Sequence, residues 1–163
     1  MENVSSFQEW LETVSEDFTG DVLWKMVVYR YALFLGELAW HDATKLMKDR
    51  RTLKLSDQLY EAVGSVSANI AEGYSRSSGK DRARFYEYSL GSARESRDWY
   101  YKGRHVLGDK VANHRMQFLT QIIRLLLTIT PEERTRTIRE EQAKYEVNSK
   151  PSLDSLLKKA PLP

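Results

Sequence analysis

Residues 62–97, AVGSVSANIAEGYSRSSGKDRARFYEYSLGSARESR, decide the fold of this chain. Two runs with helical periodicity meet there at Gly73 and a short polar loop. Glycine readily adopts the left-handed conformation that ends many helices, so we expect Gly73 to stop the first helix. Ser78, with Asp81 three residues later, predicts the start of the next helix, as in a capping box with Asp in place of the usual Glu. The stretch therefore predicts two long helices joined by a short loop.

The first of these helices, predicted over 53–72, carries two different rows of side chains. An apolar stripe repeats at helical spacing and consists of Leu55, Leu59, Val63, Val66 and Ile70. A second row, about a quarter to a third of a turn away, holds only small residues. These are Gly64, Ser67, Ala68 and Ala71. Because small residues let helices approach closely, we expect two contact faces: the helix is either central in a bundle or also faces another subunit.

The same periodicity extends outward along the chain. It predicts further helices at 5–17, 21–49, 79–107 and 109–129. Arg115 stands in the row of the 109–129 helix that also holds Val111, Phe118 and Ile122. Thr130 as a cap, Pro131 at the first helical position and Glu133 in a capping box predict a separate charged helix up to 145.

These elements divide the chain into three parts. We expect an acidic N-terminal arm with a short helix over 1–20, a four-helix bundle domain over 21–130, and a helical extension with a flexible tail over 131–163. There is no strand alternation and no repeat, so the predicted fold class is all-α.

Composition narrows the function classes. The absence of cysteine excludes a disulfide framework and thiolate metal sites, and it suits a reducing cytoplasm. The N-terminus is acidic and lacks the positive and apolar regions of a signal peptide. No stretch approaches the roughly 20 apolar residues that a membrane span requires. We therefore expect a cytoplasmic protein without a membrane partner.

The net charge of +2 conceals an asymmetry. Residues 1–20 hold five acids and no Lys or Arg, so the remainder carries +7. A mildly basic body could bind an anionic partner, and an ordinary solvated surface explains the same charge equally well.

No motif predicts an enzyme. The chain contains no P-loop, dinucleotide fingerprint, zinc-protease helix or nucleophile elbow. Glu37 and His41 share a helix face, but a di-iron bundle needs a Glu-x-x-His from each of two helices. None of the three histidines follows an Arg at the spacing of HEPN-type helical ribonucleases. We predict no catalytic residue, no cofactor and no metal.

Polar residues cluster where the 53–72 and 79–107 helices meet. They are Asn69, Glu72, Arg76, Ser92 and Glu95. Two carboxylates near an arginine could perform acid–base catalysis. When buried and hydrogen-bonded, the same groups would fix the packing of two helices. We favour one connected structural network, because no nucleophile or electrophile accompanies the carboxylates.

The 79–107 helix also carries a basic surface interleaved with aromatic residues. The candidates for contact with nucleic acid or another partner are Lys80, Arg82, Arg84, Arg94, Arg97, Lys102 and Arg104. Cations bind phosphates and aromatic rings stack on bases. Acidic residues at i, i+3 and i, i+4 are equally typical of a solvated helix face. As an alternative, Trp99, Tyr100 and Tyr101 would line a pocket for a small molecule or peptide.

The segment SVSANIAEGYSR over 65–76, followed by Phe85 and by SLGSARES over 89–96, resembles the 23S rRNA-intervening sequence protein family. That family's core reads approximately S-I-P-S-N-I-A-E-G-x-x-R, then F-x-x-x-A-x-G-S-x-x-E-L. The wider helix pattern over about 21–129 also fits. Ser67 stands where the family has proline, Tyr60-Glu61 replaces an arginine pair, and Ser96 replaces the final leucine.

The resemblance implies an antiparallel up-down four-helix bundle, here with an extra N-terminal helix and a C-terminal helical extension. It also implies a bacterial cytoplasmic protein without established catalytic activity, commonly assembled as a ring-shaped homopentamer. Related bundles are accessory subunits of diversity-generating retroelements that bind a reverse transcriptase and RNA. We therefore expect a non-enzymatic scaffold that homo-oligomerises and serves as an accessory subunit in a nucleoprotein complex. The alternative is a small-molecule or peptide-binding regulatory protein.

Overall fold

The computed structural model describes residues 6–134, 153–158 and 161, and all regular structure within them is helical. The elements are α1 (Phe7–Thr13), α2 (Glu16–Thr19), a 3₁₀ helix (Val22–Lys25), α3 (Val27–Leu46), α4 (Leu53–Tyr74), α5 (Gly79–Leu107), α6 (Asp109–Arg134) and α7 (Leu153–Lys158). The predicted all-α class is confirmed. Within the predicted C-terminal extension, Leu153–Lys158 form α7, whereas the charged segment predicted up to 145 lies largely outside the described residues.

Four long helices, α3 to α6, form the bundle. Each packs against the next along the chain, and α6 also contacts α3. The α4 stripe faces the core as predicted, since Leu59, Val63, Val66 and Ile70 have no exposed surface. Large residues of the other three helices meet it, among them Phe34, Tyr86 and Phe118. The hydrophobic core is therefore continuous across all four helices.

The N-terminal helix packs onto this core. Ser6 caps α1 by accepting a hydrogen bond from the Glu9 backbone at 3.2 Å, and Glu9 returns the bond in a complete capping box. Trp10 is buried, and the Phe7 ring packs edge-on against Phe34 with centroids 5.5 Å apart. Aromatic burial of this kind is among the larger contributions to a core. The acidic segment thus supplies part of the bundle's packing.

Gly73 does not end α4, contrary to the prediction. The helix continues to Tyr74, and among the described residues only Gly108 combines glycine with a positive φ, of 90°. A Cβ atom on Gly73 would lie 2.8 Å from Cε1 of Tyr86 and 2.9 Å from Cβ of Phe85. Glycine is required there because α4 and α5 approach closely, and not because the backbone turns.

The predicted helix start at Thr130 is also wrong. One helix runs from Asp109 through Pro131 to Arg134, and the Thr130 hydroxyl donates to the Leu126 carbonyl at 2.6 Å. The last turn of α6 is held against α5 by an ion pair between Arg82 and Glu133. Tertiary contacts therefore stabilise a continuous helix through Pro131, where local propensity alone predicts a boundary.

Replacing Gly73 by alanine should destabilise the protein. The new methyl group would overlap Tyr86 and Phe85, and overpacking of this kind typically costs about 1–3 kcal/mol. Urea unfolding followed by circular dichroism measures the change in the free energy of unfolding.

Gly91→Ala is the matched control. A Cβ atom on Gly91 would have no neighbour within 4 Å, and this glycine is exposed in the middle of α5. Alanine is the better helix former, so this variant should gain up to about 1 kcal/mol. Equal effects of the two substitutions would contradict the assignment of Gly73 to close helix packing.

Candidate functional site

The five residues predicted to form one polar network do not form one connected hydrogen-bonded cluster in the structure. Asn69 donates to the Ser65 carbonyl at 2.8 Å, Ser92 donates to the Tyr88 carbonyl at 3.1 Å, and Glu95 accepts from the Trp99 indole at 3.2 Å. Each of these bonds stays within its own helix. A polar side chain on a helix surface often donates a hydrogen bond within its own helix, to the carbonyl four residues earlier.

Glu72 and Arg76 are the two members of the predicted network that do meet. They form an ion pair four residues apart, with both side chains about half exposed. Arg76 also lies over the Phe85 ring, with its guanidinium carbon 4.5 Å from the ring centroid. An exposed pair of this kind contributes little to stability. The buried polar contact between α4 and α5 is instead made by Ser89, whose hydroxyl donates to the Val66 carbonyl at 2.8 Å.

Most of the predicted basic surface on α5 already has partners. Arg82 pairs with Glu133, Arg84 with Asp81 and Lys102 with Asp98. Arg97 donates to the Thr120 hydroxyl at 3.4 Å, and Arg104 donates to the Tyr101 carbonyl at 2.6 Å. Of the seven cations, only Lys80 and Arg94 make no hydrogen bond or ion pair with the residues that the structure describes. Acids on α5 and α6 therefore pair with three of the seven cations.

The three aromatic residues proposed to line a pocket lie on different sides of α5. Tyr100 is fully buried, Trp99 is half-buried, and Tyr101 is 54% exposed. They cannot line one cavity. A shallow pocket is present elsewhere, between α1 and α7, and is lined by Ser6, Phe7, Gln8, Leu157 and Lys158.

Sequence reasoning missed a buried charge cluster in the bundle core. Asp42 on α3 and Arg115 on α6 both have no exposed surface. Nε of Arg115 donates to one carboxylate oxygen of Asp42 at 2.7 Å, and Nη2 donates to the other at 3.2 Å. The Tyr100 hydroxyl donates to the same carboxylate at 2.9 Å. The Asp42 cluster, as we name Asp42, Tyr100 and Arg115, thus joins three helices.

The guanidinium group of Arg115 has two more neighbours. Nη2 donates to the Pro161 carbonyl at 2.8 Å, and Nη1 lies 2.9 Å from Nδ1 of His114. Both carboxylate oxygens and all three guanidinium nitrogens are therefore engaged, which a buried ion pair requires. Burial, together with the negative charge of Asp42, raises the pKa of Tyr100 well above its ordinary value near 10. The phenol stays neutral and keeps donating at physiological pH.

One sequence signal could have located this cluster. Arg115 occupies an otherwise apolar row of α6, and Asp42 falls in a row of α3 with Leu35, Leu38 and Leu46. Two helices whose apolar rows each contain one charged residue, with opposite signs on the two helices, indicate a buried ion pair.

The cluster is built for structure and not for chemistry on a substrate. Its three side chains are inaccessible, and their hydrogen-bonding capacity is used within the protein. The described residues contain no group of three or more His, Asp or Glu side chains arranged to hold a metal ion. In the same part of the chain, no helix has the length and apolarity needed to cross a bilayer.

Two comparisons place the fold among known proteins. The model of the 23S rRNA-intervening sequence protein family matches residues 25–128. The chain is also similar in structure to a protein of unknown function from the S23 ribosomal protein family of Bacteroides thetaiotaomicron. Identity is 21% and the TM-score is 0.60, over 64% of this chain and 98% of that one. No curated protein matches the sequence.

Removing one member of the buried pair should lower the free energy of unfolding far more than removing both. Asp42→Leu leaves the Arg115 charge buried without compensation, which typically costs about 3–5 kcal/mol. Asp42→Leu combined with Arg115→Met replaces both charges by apolar groups and should recover most of that loss. Urea denaturation of the variants, including Arg115→Met alone, gives the coupling energy. Simple additivity of the two single effects would contradict an ion pair that stabilises by mutual neutralisation.

Tyr100 should make stability fall at alkaline pH. Its pKa is raised in the folded state, so its contribution is fully present below the unfolded value near 10 and is lost as pH rises towards the folded pKa. Unfolding free energies measured from pH 8 to pH 11 should therefore decline less steeply in Tyr100→Phe than in the native chain. Tyr88→Phe, at an exposed position, is the control and should leave the slope unchanged. Identical slopes for native and Tyr100→Phe proteins would contradict this assignment.

Proposed function

This chain belongs to the 23S rRNA-intervening sequence protein family, and we propose that it is a non-enzymatic helical-bundle scaffold that homo-oligomerises. In this proposal it serves as an accessory subunit of a nucleoprotein complex, linked to RNA or to a reverse transcriptase. The family match covers residues 25–128, which include α3, α4 and α5 and most of α6. The proposal therefore concerns the bundle itself.

An exposed aromatic pair on the outer face of α3 and α4 carries the proposal of self-association. Trp40 is 58% exposed and Tyr60 is 45% exposed, and their rings meet edge-on with centroids 6.0 Å apart. Large aromatic side chains are costly to leave in water and are enriched in the buried centres of protein interfaces. A pair that joins two helices and still faces solvent is suited to covering by a partner.

The small residues of α4 continue this face. Tyr60, Gly64 and Ala68 follow one another at intervals of four residues, so they share one side of the helix. Gly64 and Ala68 are exposed, and a Cβ atom on Gly64 would meet nothing within 4 Å. Nothing in the described part of the chain packs into this seam. The α3–α4 face, as we name Trp40, Tyr60, Gly64 and Ala68, thus combines two anchors with a strip that another helix can approach closely.

A second copy of this chain is the occupant we propose for the α3–α4 face. The strip from Tyr60 to Ala68 spans about 12 Å along α4, which matches the length over which two crossing helices touch. If the second copy contributes a different surface to the α3–α4 face, repetition of that contact with a rotation that closes gives a ring, and we propose a homopentamer as this arrangement.

The proposal of a non-enzymatic role is supported by how the polar groups are used. The one fully buried acidic group, among the described residues, is committed to Arg115 and Tyr100. The exposed Glu72 pairs with Arg76, and Glu95 accepts a hydrogen bond from Trp99. No described cleft gathers an acid, a base and a nucleophile, as catalysis would require.

Introduction of a negative charge at the α3–α4 face should dissociate the assembly. Native protein at about 10 µM is expected to be a homo-oligomer, and Trp40→Glu should shift it to the mass of a monomer, because a buried unpaired carboxylate is strongly unfavourable. Size-exclusion chromatography with multi-angle light scattering measures the mass.

Tyr88→Glu is the matched control, since Tyr88 is 53% exposed on α5, away from the α3–α4 face. This variant should keep the native mass. Monomeric native protein would contradict the proposed self-association, and loss of the oligomer only in the Tyr88 variant would move the interface to α5.

A further inference from the structure

We propose that single-stranded RNA binds the end of the bundle where α3 turns into α4 and α5 turns into α6. We call this surface the basic end and define it as residues 45–54 and 102–110. The inference rests on the proposed nucleoprotein role and names the surface that would perform it. It moves the contact away from the middle of α5, where the sequence predicted it.

Helix packing brings the two segments of the basic end together. A Cβ atom on Gly103 would lie 3.3 Å from Cδ2 of Leu46 and 3.4 Å from Cδ2 of Leu55. The end of α5 therefore lies against both sides of the α3–α4 turn. That turn is held by Thr52, whose hydroxyl donates to the Leu46 carbonyl at 2.6 Å.

Positive charge is concentrated at this end. Its two segments contain eight Lys or Arg residues and two acids, a net charge of +6. The cations are Lys45, Lys48, Arg50, Arg51, Lys54, Lys102, Arg104 and Lys110, and the acids are Asp49 and Asp109. The whole chain carries +2, so all other residues together carry −4. Separation of charge on this scale attracts a polyanion to one end of the molecule.

Most of these cations are available to a ligand. Arg51 pairs with Asp49 at 2.6 Å and holds the pKa of that carboxyl at about 2, and Lys102 pairs with Asp98. Lys45, Lys48, Arg50, Lys54 and Lys110 form no ion pair with any residue that the structure describes. The predicted α5 surface shares Lys102 and Arg104 with the basic end, and two of its other five cations, Arg82 and Arg84, are held by acids.

Aromatic and apolar side chains beside these cations favour single-stranded RNA. Tyr101 is 54% exposed, and the Arg104 guanidinium carbon lies 4.0 Å from its ring centroid. Met47 and Leu53 are also exposed, at 57% and 44%. Unpaired bases stack on exposed rings while their phosphates contact nearby cations, whereas a duplex keeps its bases stacked internally. The combination of unpaired cations with an exposed ring fits a single strand.

Fluorescence anisotropy with a labelled 20-nucleotide single-stranded RNA tests the assignment. The basic-end variant carries Lys48→Gln, Arg50→Gln and Lys54→Gln. Loss of three phosphate contacts should make the slope of log affinity against log salt less negative by about 2. It should also weaken binding by about tenfold or more. The control variant carries Lys80→Gln, Arg84→Gln and Arg94→Gln, which removes three exposed cations from α5. It changes net charge by the same amount, but its cations lie outside the basic end, so it should bind within about twofold of the native chain.

A second variant separates stacking from charge. Tyr101→Ala should weaken binding by about fivefold or more and leave the salt slope unchanged, because it removes a ring and no charge. Circular dichroism establishes that every variant is folded.

Each of the remaining outcomes would contradict part of the proposal. If native protein binds no RNA, both the proposed nucleoprotein role and the assignment of RNA binding to the basic end are wrong. If RNA binds and affinity is lost only in the α5 control, or equally in both triple variants, the RNA role stands and the basic end is wrong. Binding to phosphatidylserine vesicles without binding to RNA would identify the end as a lipid-binding surface and overturn the proposal.

Discussion

The buried ion pair between Asp42 and Arg115, together with Tyr100, constrains three of the four bundle helices. Both charges have no exposed surface, so each depends on the other for compensation. The carboxylate also accepts from Tyr100, and the guanidinium group donates to the carbonyl of Pro161. α3, α5, α6 and the C-terminal segment must therefore come together in one relative position. A slip of one helical turn along any of them would leave a charge or a polar group buried without a partner.

With the interior arranged in this way, the surface divides into regions of different chemistry. The α3–α4 face presents aromatic and small residues, α5 presents several cations paired with acids, and most cations of the basic end form no ion pair with a described residue. Self-association through the α3–α4 face would bring several basic ends into one assembly. A single RNA strand could then engage more than one copy, and its overall affinity would exceed that of each contact.

Local patterns predicted the helices well and the functional groups poorly. The apolar stripe of α4 and the Ser78 cap of α5 are where the periodicity and capping rules put them, with Ser78 accepting from the Asp81 backbone at 3.1 Å. Gly73 and Thr130 were wrongly predicted as helix boundaries because each resembles a boundary signal. Contacts with α5 instead require glycine at position 73 and hold the last turn of α6 beyond Thr130. The predicted network failed for a related reason. Asn69, Ser92 and Glu95 find partners within their own helices, and proximity on two neighbouring helices does not make a hydrogen bond.

The sequence by itself determined the all-α class, the four long helices, the family and the total charge, because periodicity, caps and composition are local properties. Only the tertiary structure decided which polar residues meet. Asp42 and Arg115 are 73 residues apart, and most of α4 and α5 lies between the 45–54 and 102–110 segments. Such contacts depend on helix rotation and register, which are set by the packing of the entire core. The buried pair and the basic end therefore emerge only when the helices are assembled.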